Sequence, residues 1–403
     1  MTTELPPAEA LRLPPPRLPP IAILIVIAGL GPTSLSIFLP SMPGLIRVYD
    51  TSYATAQLTL TLYLVGLAVA QLGYGPLSDR FGRRPALLTG LFLYVIGSVA
   101  CVAAPTIETL IAGRVLQAVG GCSGIVISRA IIRDVYERGR AASVLAYVTM
   151  AMVVAPMMAP TIGGFLDDWF SWRAGFVFMV VVGVLTLAAC FLFLNETHAF
   201  QKDTVSRRDN WEGVAVLLRR RRFHGYAFQV AFSSGVFYSF IAGAPYVVIE
   251  LMHRSASEYG LWFAFTSAVY MCGNFIAARA SERVGSDRMI TIGTTISLIG
   301  VFTLGVFYLN DLVFPATLFG GMSIVAFGNG MSIPNGVSGA VGVDPTRAGT
   351  ASGIAGFSQM AVGAGMSFVV GLLLVGTAAP LVVMMIVSAI TARFFFEWGV
   401  RRG

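Results

Sequence analysis

Three groups of residues equip this sequence for chemistry. The stretch Gly75-Pro76-Leu77-Ser78-Asp79-Arg80-Phe81-Gly82-Arg83-Arg84 sets the Asp79 carboxylate among the guanidinium groups of Arg80, Arg83 and Arg84. Such a cluster suits helix capping and charge-assisted pairing. Arg114 and Gln117, about one helical turn apart in Ala112-Gly-Arg-Val-Leu-Gln-Ala-Val-Gly-Gly121, put a cation and an amide on one face of an apolar run. Gly121-Cys122-Ser123-Gly124 offers a hydroxyl nucleophile. Catalysis there needs a base, and His198, His224 and His253 all sit near loops or helix ends. These histidines share no ligand spacing, so no metal site is expected. Cys101, Cys122, Cys190 and Cys272 form no CxxC pair and read as small packing residues. No Walker loop or nucleotide fold is visible, so neither a nucleotide cofactor nor ATP-driven work by this chain alone is expected.

The elements that must hold these residues are apolar helices. Of 403 residues, 56% are hydrophobic and 12% charged, against about 25% charged in soluble domains. A membrane span needs about 20 apolar residues. Candidate spans lie at 21–39, 53–77, 85–104, 107–128, 142–162, 174–194, 223–249, 259–280, 289–308, 312–333, 350–375 and 380–396. Gly75 and Pro76 are expected to break the second helix, and Gly82 to supply a positive φ for the reversal. The fold class is an all-α integral membrane protein. The net charge of +7 raises the question of nucleic acid, but its distribution answers otherwise. Every Lys and Arg except Arg47, Arg114, Arg173 and Arg254 falls on one side when both termini are placed in the cytoplasm. That is the positive-inside pattern, with no nucleic-acid partner expected. Residues 1–20, proline-rich and without the character of a cleavable signal, are read as a disordered cytoplasmic tail. Residues 21–197 and 223–403 form two helical units. Residues 198–222 are the linker, with a short amphipathic stretch at 211–218 and four arginines, Arg219 to Arg222, suited to an anionic leaflet.

The second unit echoes the first roughly 205 residues later: Glu282-Arg283-Val284-Gly285 and Arg288 follow the pattern of Asp79-Arg80-Phe81-Gly82 and Arg84. Two pseudo-symmetric six-helix bundles are expected, with the substrate between them near mid-membrane. An unpaired charge near the bilayer centre costs at least ~2.5–3.5 kcal/mol. Arg114 therefore faces a partner or a watery cavity, or else snorkels to the outer surface. Candidate cavity residues are Ser36 in the kinked first span, Tyr63 in the second, Phe237, Tyr238 and Tyr246 in the aromatic seventh, and Asn329 in the tenth; helix packing is the competing fate of each. Glu250, at the outer end of the seventh span, is the acid nearest that cavity edge. No Asp or Glu falls at mid-membrane in any span. Pro156, Pro160, Gly163 and Gly164 mark a kinked, closely packed fifth span.

The Gly-Pro-Leu-Ser-Asp-Arg-x-Gly-Arg-Arg order resembles the signature between the second and third spans of the major facilitator superfamily. The likeness covers the chain from Leu30 to about Phe396. Arg114-x-x-Gln117 is similar to that superfamily's fourth-span motif, although Ala118 replaces a common glycine. Pro156-x-x-x-Pro160-x-x-Gly163-Gly164 resembles the antiporter motif, with Ala159 where glycine is usual. The Leu39-Pro40-x-x-Pro43 ending is similar to that of the bicyclomycin/chloramphenicol-resistance (Bcr/CflA) branch, with Ser36 where many members carry an acid. The resemblance implies the major facilitator fold and alternating access. It implies a cytoplasmic gate built from Gly75, Asp79, Arg80, Gly82, Arg83 and Arg84, and proton coupling through Arg114 with Gln117, with Glu250 as a fallback carrier. The implied activity is proton-coupled efflux of small, largely apolar drugs across a bacterial-type inner membrane. It is driven by the proton gradient without a cofactor, by a chain acting as a monomer in the lipid bilayer. A metabolite symporter or exporter of the same fold is the alternative. A remote one is an intramembrane protease at Ser123, since Gly-x-Ser-Gly resembles the rhomboid pattern; no enzyme activity is expected.

Overall fold

A computed structural model describes residues 19–197, 215–344 and 347–401. It contains 12 helices long and apolar enough to cross a membrane. They are α1 (Ile21–Ile37), α2 (Tyr53–Phe81), α3 (Arg83–Ala103), α4 (Ile107–Val135), α5 (Arg138–Trp169), α6 (Trp172–Phe193), α7 (Arg221–Tyr246), α8 (Ala256–Val284), α9 (Ser286–Leu309), α10 (Pro315–Gly342), α11 (Ala348–Leu373) and α12 (Ala379–Phe396). Short helical segments Leu39–Ser41 and Leu45–Val48 follow α1, and π-helical turns Val247–Leu251 and Glu397–Arg401 extend α7 and α12. Most of the expected tail, and 198–214 of the expected linker with His198, lie outside the described residues.

The helices overrun the apolar spans. Gly75 and Pro76 do not break α2, which continues to Phe81 with Pro76 inside it. A proline removes one ladder bond, but in lipid every other backbone group still needs its internal partner, so the helix persists. The reversal falls on Gly82 alone, at φ 96°, and its counterpart Gly285 stands at φ 89°. These glycines mark what we call the motif face of the bundle. At the opposite face, serines cap two helices: Ser52 Oγ accepts from Thr55 N at 3.1 Å, and Ser255 Oγ from Glu258 N at 3.1 Å.

α1 to α6 pack as one bundle and α7 to α12 as the other. α4 sits against α1, α2 and α3. Its glycines make this possible. A Cβ on Gly124 would overlap the Ile27 carbonyl of α1, and one on Gly120 the Tyr94 backbone of α3. Three of the cysteines are buried as packing residues; Cys272 instead is exposed. The arginines at the start of α7 also make contacts within the second bundle. Arg220 donates to Val343 O at 2.9 Å, Arg221 lies 4.6 Å over the Trp398 ring, and Arg222 stands 4.0 Å from Asp287. These contacts engage three of the four with the second bundle's own chain ends, where exposed pairs contribute little each.

Candidate functional site

Arg114 is the centre of the first bundle. Its side chain is fully buried, at 0% exposure, so it does not snorkel. Nη1 donates to Ser34 O at 2.9 Å and to Gln117 Oε1 at 2.7 Å. The guanidinium carbon lies 4.1 Å from the Tyr63 ring centroid, 5.1 Å from Phe38 and 5.7 Å from Phe176. Gln117 passes the network on through Nε2 to Ser98 Oγ at 2.8 Å, and Ser98 Oγ donates to Tyr94 O. Tyr94 OH meets Ser34 Oγ at 2.5 Å, and Tyr63 OH donates to Gly31 O at 2.8 Å. Groups from α1, α2, α4 and α6 thus meet one cation, and α3 joins the network through Gln117 and Ser34. Among the described residues no carboxylate pairs with it, and its Nε and Nη2 have no hydrogen-bond partner. Two charge-assisted bonds and three desolvated ring faces offset the burial of the charge. The cation is therefore tolerated without a counter-ion. Tyr63 was legible as polar; Phe38, Phe176 and Tyr94 read only as apolar bulk.

At the motif face Arg83 is nearly buried between two acids. It bonds Asp79, donates Nε to Asp134 Oδ2 at 2.8 Å and Nη1 to Ser78 Oγ at 2.7 Å. The Glu196 carboxylate accepts from the backbone amides of Arg83 (3.0 Å) and Arg84 (3.1 Å), closing the turn that Gly82 makes. Arg84 reaches the carbonyls of Phe191 in α6 and of Leu194 just after it. Arg80 lies over Phe81, and Asp79 remains 58% exposed. The cluster therefore ties α2, α3, α4 and α6 together inside one bundle. Arg83→Ala would leave Asp134 without its main partner. We expect a loss of about 2 kcal/mol, after discounting the exposed Asp79 arm. It would be read as a lower thermal midpoint of the purified protein, with Arg83→Lys in between.

The two bundles meet at the opposite face. Gln57 Nε2 donates to Ser367 Oγ at 2.7 Å, joining α2 to α11. Thr161 Oγ1 donates to Gly260 O at 2.7 Å, and Asp168 accepts from Ala256 N (3.3 Å) and Ser257 N (2.9 Å), joining α5 to α8. Tyr53 OH donates to Ala242 O at 2.5 Å, with its ring 4.6 Å from that of Tyr246. Arg47 grips both Glu250 oxygens at 2.8 Å. Gly163 and Gly164 work in opposite directions: a Cβ on the first would overlap Ile37 O within the bundle, and one on the second Ala256 O across the interface. α5 remains helical through Pro156 and Pro160. Every hydrogen bond and ion pair between the bundles, among the described residues, lies toward this face. Toward the motif face, a Cβ on Gly75, Gly349 or Gly353 would meet nothing within 4 Å. The bundles are joined at one face and part toward the other.

The remaining sequence candidates are scattered. Ser36 is buried beside the end of α1. Tyr238 OH bonds Met360 Sδ at 3.4 Å, and its ring covers Gly363. Phe237 is half-buried against Tyr238 and Phe263. Asn329 donates to Ser233 O at 2.9 Å and accepts from Ser297 at 3.1 Å, bracing α10 to α7 and α9. Ser123 donates to Gly120 O at 2.7 Å, while His224 Nε2 meets Leu218 O at 2.6 Å, a carbonyl just before α7 in the other bundle.

The sequence pattern of the Major Facilitator Superfamily matches residues 24–367. The chain belongs to that superfamily. It is 31% identical over 378 residues to an MFS-type transporter of Bacillus subtilis, YdgK, covering 93% of each chain. It is 28% identical over 381 residues to the bicyclomycin resistance protein homologue of Haemophilus influenzae, covering 93% of this chain and 95% of that one. In fold it resembles a bacterial homologue of the human lysosomal transporter Spinster, with a TM-score of 0.74 at 18% identity, over 94% of this chain and 96% of that one. The superfamily comprises transporters without a cofactor or an enzymatic step, which removes the protease reading of Ser123. The superfamily member described here is thus a multi-pass membrane transporter of two six-helix bundles, and the name of the Haemophilus relative matches the branch that the first-span ending resembles.

Proposed function

We propose that this transporter exports small, largely apolar drugs in exchange for protons across a bacterial inner membrane. The observation that carries the reading is the buried, carboxylate-free Arg114 network in a chain whose relatives include a bicyclomycin resistance protein homologue. In this reading the motif face and both termini are cytoplasmic, and the described state opens inward. Gly75, Asp79, Arg80, Gly82, Arg83 and Arg84 close the cytoplasmic side when the bundles rock the other way. Gly163 and Gly164 let α5 roll between α1 and α8. Arg114 holds α1 through Ser34 O and α2 through the Tyr63 ring. A proton or drug arriving between the bundles changes the field at that cation, and the two helices transmit the change. Phe237 and Tyr246 offer apolar contact to the drug. The chain acts as a monomer.

Glu250, paired with an exposed Arg47, serves the outer closure in this reading. Such a pair contributes ~0–1 kcal/mol, enough to bias an equilibrium between states but too little to lock it. The test is drug accumulation in cells lacking their own pumps, with and without the protein, before and after a protonophore. Lowered accumulation that the protonophore reverses is the expected result. Unchanged accumulation across a broad panel would turn the assignment to a metabolite.

A further inference from the structure

Arg129 is a second cation on α4, and no role above uses it. From Gly113 to Ile132 it is the one exposed residue of that helix. α1, α2 and α3 pack around α4, so an exposed side chain on it faces the space between the bundles and not lipid. Its Nη2 stands 3.8 Å from Met152 Sδ of α5, and among the described residues no carboxylate lies within 4 Å. Every Asp and Glu of the described helices stands within about one turn of a helix end. The polar side chains at mid-length in the second bundle's α8 and α11 are neutral: Gln359 donates to Ser234, and Asn274 to the Tyr270 carbonyl. The central space therefore has a free guanidinium on its wall and a second one enclosed behind the Tyr63 ring. Among the described residues no carboxylate stands beside either.

We propose that Arg129 sets the substrate class of the transporter: amphiphiles that are neutral or carry an anionic group, with permanent cations rejected. This deepens the efflux reading and rests on it. An aromatic carboxylate entering from the motif face lays its ring against apolar wall and receives a forked, charge-assisted pair from Arg129. A quaternary ammonium of the same size meets the like charge of Arg129 and gains no ionic partner beside it.

The test uses the full chain, purified in detergent, and three naphthalene probes: the 2-carboxylate, its methyl ester, and the 2-trimethylammonium salt. Dissociation constants come from isothermal titration calorimetry. The carboxylate and ester are expected to bind, with the ammonium at least tenfold weaker than the ester. Arg129→Gln should lower the carboxylate-to-ester affinity ratio about tenfold, Arg129→Lys should keep most of it, and Arg129→Glu should invert the order of carboxylate and ammonium. Equal affinity for ester and ammonium in the native protein would overturn the proposal. So would no binding of any probe, or an equal loss of all three in Arg129→Gln. Charge-selective binding without gradient-dependent drug export in cells would sink the efflux reading and leave the charge selection standing.

Discussion

Arg114→Ala will separate drug movement from proton movement while the protein still reaches the membrane. The substitution removes a cation whose burial costs ~2.5–3.5 kcal/mol. It also strips the Ser34 carbonyl and Gln117 Oε1 of a donor, at ~1–3 kcal/mol each. These terms oppose one another, so the net destabilisation should stay near 1–3 kcal/mol, small enough for the bundle to survive. The functional loss should be far larger. Nothing else among the described residues places a charge at the junction of α1, α2, α3, α4 and α6. In proteoliposomes with an internal pH dye, proton flux on drug addition should fall more than tenfold. Arg114→Lys keeps the charge but lacks the forked geometry, and should recover only part of it. A normal proton-to-drug ratio in Arg114→Ala would reduce the residue to a brace.

Gly164→Val will jam the joint at the opposite face. Its Cβ would sit on the Ala256 carbonyl oxygen, a backbone atom that cannot swing aside. α5 and α8 must then separate where Asp168 caps the start of α8 and Thr161 reaches Gly260. Overpacking of this kind costs about 1–3 kcal/mol, and 1.4 kcal/mol is about a tenfold population change. The state joined at this face should be depopulated by tenfold or more, and transport should drop accordingly. Spin labels at Asp50 and His253 would report a longer distance. Gly365→Val is the control, since a Cβ there meets nothing within 4 Å. If Gly164→Val transports normally, the α5–α8 contact is not needed in the cycle.

The number of helices was legible because lipid enforces it, since a span must be long, apolar and internally bonded, and the two bundles were legible from the repeat roughly 205 residues apart. Gly82 was legible because only glycine takes its φ without strain. Gly75 and Pro76 misled, since a helix-breaking rule drawn from water is weaker where the alternative is an unbonded backbone. The site was half legible. Arg114 and Gln117 stand out as polar residues in an apolar run, but their ring partners Phe38 and Phe176 come from distant helices and look like any other lipid-compatible side chain. Asp134 reads as a loop acid, and only folding brings it 2.8 Å from Arg83. Gln57 and Ser367 are 310 residues apart in sequence, so nothing local in the chain marks them as a pair.

The ion pair between Arg47 and Glu250 joins residues 203 apart, the same interval that separates Gly82 from Gly285 and Ser52 from Ser255. The two partners are therefore the same position of the repeat, facing itself across the pseudo-twofold axis. Two identical chains related by that axis would set arginine against arginine there, or glutamate against glutamate, and would repel. Attraction at this point requires that the two copies differ. A single covalent chain guarantees this, because it fixes which copy carries which charge and so always pairs unlike halves.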